Sequence, residues 1–135
     1  MTSYSLNKLE ALAADEKNIL HRHGIRTTAG LLKVGRTREL QEKLSAITGL
    51  PKKKIKLLVR MSDLMRVKGV GEEYSILLNC VGVKTIRDLR NRRADNLSQC
   101  IVDENVTNRL VRHVPVQSQV ARWIDHAKKL PPIIE

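Results

Sequence analysis

The stretch that most narrows what this chain can fold into runs from Leu64 to Arg90, where Val67 and Val70 are interleaved with Gly69 and Gly71 between two helix-forming segments. The two glycines supply the backbone freedom that a two- or three-residue reversal between helices needs. Val70 then points into the core and pins the turn, and a second helix begins at about Glu72. The free N–H groups of that helix and the glycine amides face one small patch, which is a generic anion site. A second reading stands beside it. Glu72 and Glu73 suit the helix dipole but repel a phosphate approaching the same amides, so the hairpin is either an anion site or a purely structural turn.

The chain also repeats itself. At a shift of 58, residues 9–32 lie over residues 67–90: Leu9 meets Val67, Leu12 meets Val70, Ile19 and Leu20 meet Leu77 and Leu78, and Gly24, Ile25 and Thr27 meet Gly82, Val83 and Thr85. Ala11 and Ala13 replace the two glycines in the first copy. A left-handed turn would cost alanine about 1 kcal/mol per residue, so the first hairpin is expected to be looser or differently wound.

Each copy continues into two further helices. In the first, Thr27 or Thr28 caps a short helix through Leu32, and Thr37 caps another from Arg38 to about Thr48, with Leu40, Leu44 and Ile47 on one face and Gly49 at its end. Pro51 suits the first turn of a long helix that carries Ile55, Leu58, Val59, Ser62 and Met65 inward. In the second copy Thr85 and Asp88 make a capping-box start, and a helix from about Asp95 carries Leu97, Ile101 and Val102. A last helix of Val120, Trp123, Ile124, Ala127 and Leu130 stops at Pro131 and Pro132. It aligns with the long helix at a shift of 65 rather than 58, which places seven extra residues between Asn105 and Pro115.

The expectation is an all-α protein of two pseudo-repeats, residues 1–66 with the degenerate hairpin and 67–135 with the Gly-Val-Gly hairpin, forming one compact unit. With no Phe, one Trp and two Tyr, its core must be aliphatic. Leu9, Leu12, Ile19, Leu20, Leu64, Val67, Val70, Leu77, Leu78, Val83, Leu89, Val120 and Ile124 are its expected members. No uncharged run approaches the roughly 18 residues of a membrane span, and the N-terminus lacks the apolar stretch of a signal peptide, so a cytoplasmic protein is expected. Cys80 and Cys100 have neither metal-ligand spacing nor a disulfide framework around them and read as buried or half-buried free thiols.

Charge carries the strongest hint of function. The chain holds 25 Lys and Arg against 14 Asp and Glu, a net +11, which favours polyanions as partners. Residues 1–66 hold 14 basic and 6 acidic side chains, so the first half is the more basic. Lys52, Lys53, Lys54 and Lys56 crowd the start of the long helix, where the dipole disfavours cations by about 0.3–1 kcal/mol each. With Arg60, and with Arg36 and Arg38 ahead of the neighbouring helix, they form a stripe able to track a phosphate backbone if they converge. The nine positions from Lys52 to Arg60 hold no acidic residue. Arg87, Arg90, Arg92 and Arg93 make a second cluster suited to bidentate phosphate contacts. Lys68 and Lys84 flank the glycine hairpin and offset its glutamates. The plainer reading of the lysine run is a solvated face that keeps the protein soluble.

The pattern at Leu64, Val67, Gly69, Val70 and Gly71, followed by Ser75, Leu77, Leu78 and Gly82-Val83, resembles the helix-hairpin-helix motif of proteins that hold the sugar-phosphate backbone of DNA without reading bases. The whole layout is similar to a family of bacterial proteins of unknown function built from tandem helix-hairpin-helix units. That resemblance implies a bundle of SAM-like or helix-hairpin-helix type and adds Gly69 and Gly71 to the candidate phosphate contacts. It implies no activity, since such units also serve in protein interaction. DNA-gripping versions commonly carry Lys or Arg where this chain has Glu72 and Glu73.

Little in the chain points to an enzyme. His21 and His23 fall on opposite sides of a helix, Asp63 and Asp125 are expected to face solvent, and there is no nucleophile elbow or phosphate loop. Trp123 lies at core spacing, so aromatic platforms for single strands are nearly absent. A non-enzymatic module without cofactor or metal is expected. It binds duplex nucleic acid through backbone contacts, or alternatively meets an acidic protein partner in an assembly.

Overall fold

Side-chain caps start three of the eight described α-helices in the computed structural model, which describes residues 3–134. The outer limits of the two expected units, at residues 1 and 135, fall outside the described residues. A short 3-10 turn, Leu6–Lys8, is capped by Ser5, and eight α-helices follow among the described residues. They are α1 (Ala14–Arg22), α2 (Thr28–Val34), α3 (Arg38–Thr48), α4 (Lys52–Leu64), α5 (Glu72–Cys80), α6 (Ile86–Arg90), α7 (Ala94–Asn108) and α8 (Gln117–Lys129). The Thr27 hydroxyl accepts from Gly30 N–H and that of Thr37 from Leu40 N–H, while Thr85 and Asp88 cap α6 reciprocally. Gly49 closes α3 in the left-handed conformation. Among the described residues there is no strand, only an isolated bridge between Ser5 and Thr27. The chain is all-helical, as its sequence implies, and no described helix is long and apolar enough to cross a membrane.

Apolar periodicity becomes two clusters, aliphatic apart from Trp123 in the second. One gathers Leu6, Leu9, Leu12, Leu20 and Ile25 with the inner faces of α2, α3 and α4; the other gathers Leu64, Val67 and Val70 with α5, α6, α7 and α8. Helix α4 serves both, since the neighbours Leu64 and Met65 point into different clusters.

Of the expected core, Ile19 alone is only half-buried. Two other side chains read as inward-facing are exposed: Ile47 by 52% and Val102 by 38%. Helix α3 packs chiefly on α2 and α4, and α7 on α5 and α8, so the far edge of each apolar stripe has no neighbour to meet. The connection expected from Asn105 begins later, because α7 continues to Asn108 and Asn105 is helical.

Asp63 overturns a further expectation, because it is 2% exposed instead of facing solvent. Its Oδ1 accepts from Arg66 Nη1 at 3.0 Å and its Oδ2 from the Ile86 amide at 2.8 Å, at the first residue of α6. Arg66, equally buried, donates through Nη2 to the Pro131 carbonyl at 2.7 Å. One ion pair thus joins the end of α4, the start of α6 and the segment after α8. Burial pushes the Asp63 carboxyl above the usual carboxylate range, against the opposing pull of the Ile86 amide and Arg66.

Removing one partner leaves the other charge buried, so Asp63→Ala should destabilise by about 3–5 kcal/mol in urea unfolding, whereas Asp63→Leu with Arg66→Met together should cost clearly less than the single change. The raised folded-state pKa means that folding takes up a proton at this site. Its contribution is fully present below the unfolded value near 3.8 and is lost as pH rises through the folded value. The stability of the parent relative to Asp63→Asn should accordingly fall with rising pH across the acid range.

Candidate polyanion-binding surface

The glycine hairpin uses its two glycines differently. Gly69 has φ +91°, and a Cβ there would stand 3.1 Å from Trp123 Nε1, so it needs both glycine's freedom and its small size. Gly71 is extended at φ −93°, ψ −165°, and a Cβ there would meet nothing within 4 Å. Only the first glycine is therefore dictated by the turn. Val70 is fully buried beneath it. The Lys68 amide donates to His126 Nδ1 at 3.0 Å, which ties the hairpin to α8.

Glu72 borders the hairpin groove but is already engaged. Its carboxylate reaches the first half of the chain, accepting from Glu10 N–H at 2.9 Å and Ala11 N–H at 2.7 Å. Lys54 Nζ donates to the Ala11 carbonyl at 2.5 Å and lies 3.7 Å from Glu16 Oε1. Glu16 in turn accepts from Ala13 N–H. The glycine-free turn around Ala11 and Ala13 is thus held by side chains from α5 and α4 rather than by left-handed backbone. Lys54, expected among the phosphate contacts, is half-buried and committed to this turn.

The other cations of α4 do converge. Lys52, Lys53, Lys56 and Arg60 line a groove of about 580 Å³ with Arg38 and Gln41 from α3 and Thr85 beside α6. Lys52, Lys56 and Arg60 recur every four residues and so share a helix face. The amino end of α4 opens here after Pro51, with no side-chain cap and no acidic residue in its first turn, so the positive pole of the helix adds to the lysines. The acid-free face expected from the sequence is modified by the fold: α3 contributes Glu42 to the groove, 3.4 Å from Arg38 Nε.

The remaining candidates lie elsewhere. Lys68 and Gly69 line a second groove with Arg122, Asp125, His126 and Lys129 of α8. Gly71 faces a third beside Glu72, Glu73, Arg112 and His113. Arg92 and Arg93 border a fourth with Lys128, where Arg93 Nη2 is 2.9 Å from Asp95 Oδ2 and Arg92 Nη2 is 3.8 Å from Cys100 Sγ. Lys84 and Arg87 are exposed around α6, and Arg90 is half-buried. Arg122, His126 and Lys129 were not among the residues expected from the sequence, although their i, i+4, i+7 spacing on the polar side of the last helix was a usable signal.

Both thiols are exposed rather than buried. Partial burial, with Glu104 nearby, pushes the Cys80 thiol up, away from nucleophilic character at neutral pH. Among the described residues no three His, Cys, Asp or Glu side chains are placed to hold a metal ion.

A family model described as a domain of unknown function, DUF4332, matches residues 10–130. Comparison with curated proteins and with solved structures finds no match.

The asymmetry of the hairpin is open to test. Gly69→Ala should cost more than ~1 kcal/mol in chemical denaturation, from left-handed strain and crowding of Trp123, whereas Gly71→Ala should stay within about 0.5 kcal/mol of the parent. Equal losses at both positions would contradict this division of roles.

Proposed function

The chain belongs to the DUF4332 family, a domain of unknown function, and from that premise we propose that it is a sequence-independent binder of duplex nucleic-acid backbones built from two helix-hairpin-helix units, residues 1–66 and 67–135. Three observations support the tandem reading. The bounds of α1 and α5 differ by 58 at both ends, and those of α4 and α8 by 65 at both ends. Apart from Leu64, the buried members of one apolar cluster come from residues 67–135 and those of the other from residues 1–66, and the clusters adjoin at Leu64 and Met65. The third is the match after the paired helices, where Gly24 and Gly82 are both left-handed and Thr27 and Thr85 both cap the next helix.

The observation that carries the binding function is the α4 groove. Five cations and an uncapped helix amino end meet there, and the single acid lining it is already paired with Arg38. Such a surface offers point charges and amides to phosphates and nothing shaped to read a base edge. Trp123 is 2% exposed in the core, so stacking on an unpaired base has no platform there, which favours a duplex. Glu72 is engaged by the Glu10 and Ala11 amides, so Glu73 is the acid that opposes a phosphate at the hairpin, and Lys68 with α8 supplies a second contact region. No catalytic role is proposed.

Changing Lys52, Lys53 and Lys56 together to Ser should flatten the dependence of log binding constant on log salt by up to ~2.7, at ~0.9 for each phosphate left without its lysine, and weaken binding alike on unrelated duplexes. Lys54→Ser should instead lower stability while leaving the slope near that of the parent. Parent-like binding by the folded triple variant would move the site to the hairpin and α8, and a parent without salt-dependent binding would end the nucleic-acid reading.

A further inference from the structure

We propose that this chain assembles head to tail, the outer ridge of α7 in one copy seating in the groove between α2 and α3 of the next. The inference does not rest on nucleic-acid binding. It starts from the two apolar stripes that the fold leaves uncovered, one in each half of the chain.

The groove has room for about 350 Å³ and is walled by Val34, Leu40 and Ile47, of which Ile47 is 52% exposed. Lys33, Lys43 and His23 stand around it, and none of the residues lining it is acidic. Helix α7 is the opposite in charge: from Ala94 to Asn108 it holds Asp95, Asp103 and Glu104 and not one Lys, Arg or His. Val102 and Val106, four residues apart, stand on one face, and Val106 is 74% exposed. Asp103 flanks them, exposed and held by Gln99 Nε2 at 2.9 Å. Asp95 lies one heptad before Val102, and its carboxyl is held below the usual range by the Asn96 amide and by Arg93.

An apolar trough with basic edges and an apolar ridge with acidic edges therefore occur on the same molecule, and this makes a second copy the fitting occupant. The ridge and trough belong to different helices, so the contact is heterologous: a pair keeps a free trough on one copy and a free ridge on the other, and assembly extends rather than stopping at a pair. The net charge of +11 opposes association at long range, but near 0.15 M salt the Debye length is about 8 Å, which screens that repulsion and spares the matched contact.

Light scattering of the full chain over a concentration series at physiological salt tests this. The average mass should rise with concentration above the 15.3 kDa monomer and pass the dimer without a plateau. Val106→Asp and Ile47→Asp, both at exposed positions and checked for folding by circular dichroism, should each be monomeric alone. Mixed in equal amounts they should form a closed one-to-one pair, because one variant retains the trough and the other the ridge. A parent that stays monomeric, a plateau at the dimer, self-association surviving in either variant, or a mixture that stays monomeric would each overturn the proposal.

Discussion

A buried carboxylate and guanidinium hold together three parts of the chain that are far apart in sequence. Asp63 and Arg66 sit at and just beyond the end of α4, yet their remaining hydrogen bonds reach the amide that opens α6 and the carbonyl that follows α8. Taking both charges out of water is costly, and the raised Asp63 pKa records that cost. The compensation is geometric. The amide at the start of α6 has no intrahelical acceptor, and Pro131 cannot continue α8, so each supplies a backbone group that needs a partner. The pair fixes where α6 and the C-terminal segment lie against α4, and with them Thr85 and Ile134 at the edge of the basic groove.

A related division of labour governs the two turns. In one, glycine provides the left-handed conformation and Trp123 fills the space that a side chain would have taken. In the other, no left-handed residue is used, and Glu72 and Lys54 bind its peptide groups from outside. Two side chains that look like an anion repellent and an anion receptor are therefore scaffolding. Each crosses to Ala11 from a different helix, so the first turn is positioned by α4 and α5 together. This coupling ties the first turn of α4, through Lys54, to the turn at Ala11.

Surface charge is segregated as a consequence of the packing. The cations of α3 and α4 meet in one groove because those helices are neighbours, while the arginines near α6 are spread over separate surfaces and partly occupied by Asp95 and Cys100. The acidic residues of α7 lie on a helix that packs chiefly on α5 and α8, not on α3 or α4. A chain with a large net positive charge thus still carries a helix whose only charged side chains are acidic.

Much of the architecture was legible in the sequence because it depends on local chemistry. Thr27, Thr37, Thr85 and Asp88 cap their own helices, Gly49 ends one, and the spacing of Leu64, Val67, Val70, Leu77 and Leu78 marks a buried face whatever lies against it. The need for glycine at Gly69 belongs to the same class, being a property of one backbone dihedral. What the sequence alone could not decide was partnership across distance. Whether Asp63 faced water, whether Glu72 opposed a phosphate, whether Lys54 was free and whether Glu42 entered the lysine groove all depended on how separate helices come together. Ile47 and Val102 fit their apolar stripes as well as their buried neighbours do, and only the absence of a helix beyond α3 and α7 leaves them exposed. Capping and periodicity act within a turn or two of the backbone, whereas the fate of a charge or of the last apolar residue in a stripe is set by what tertiary packing brings against it.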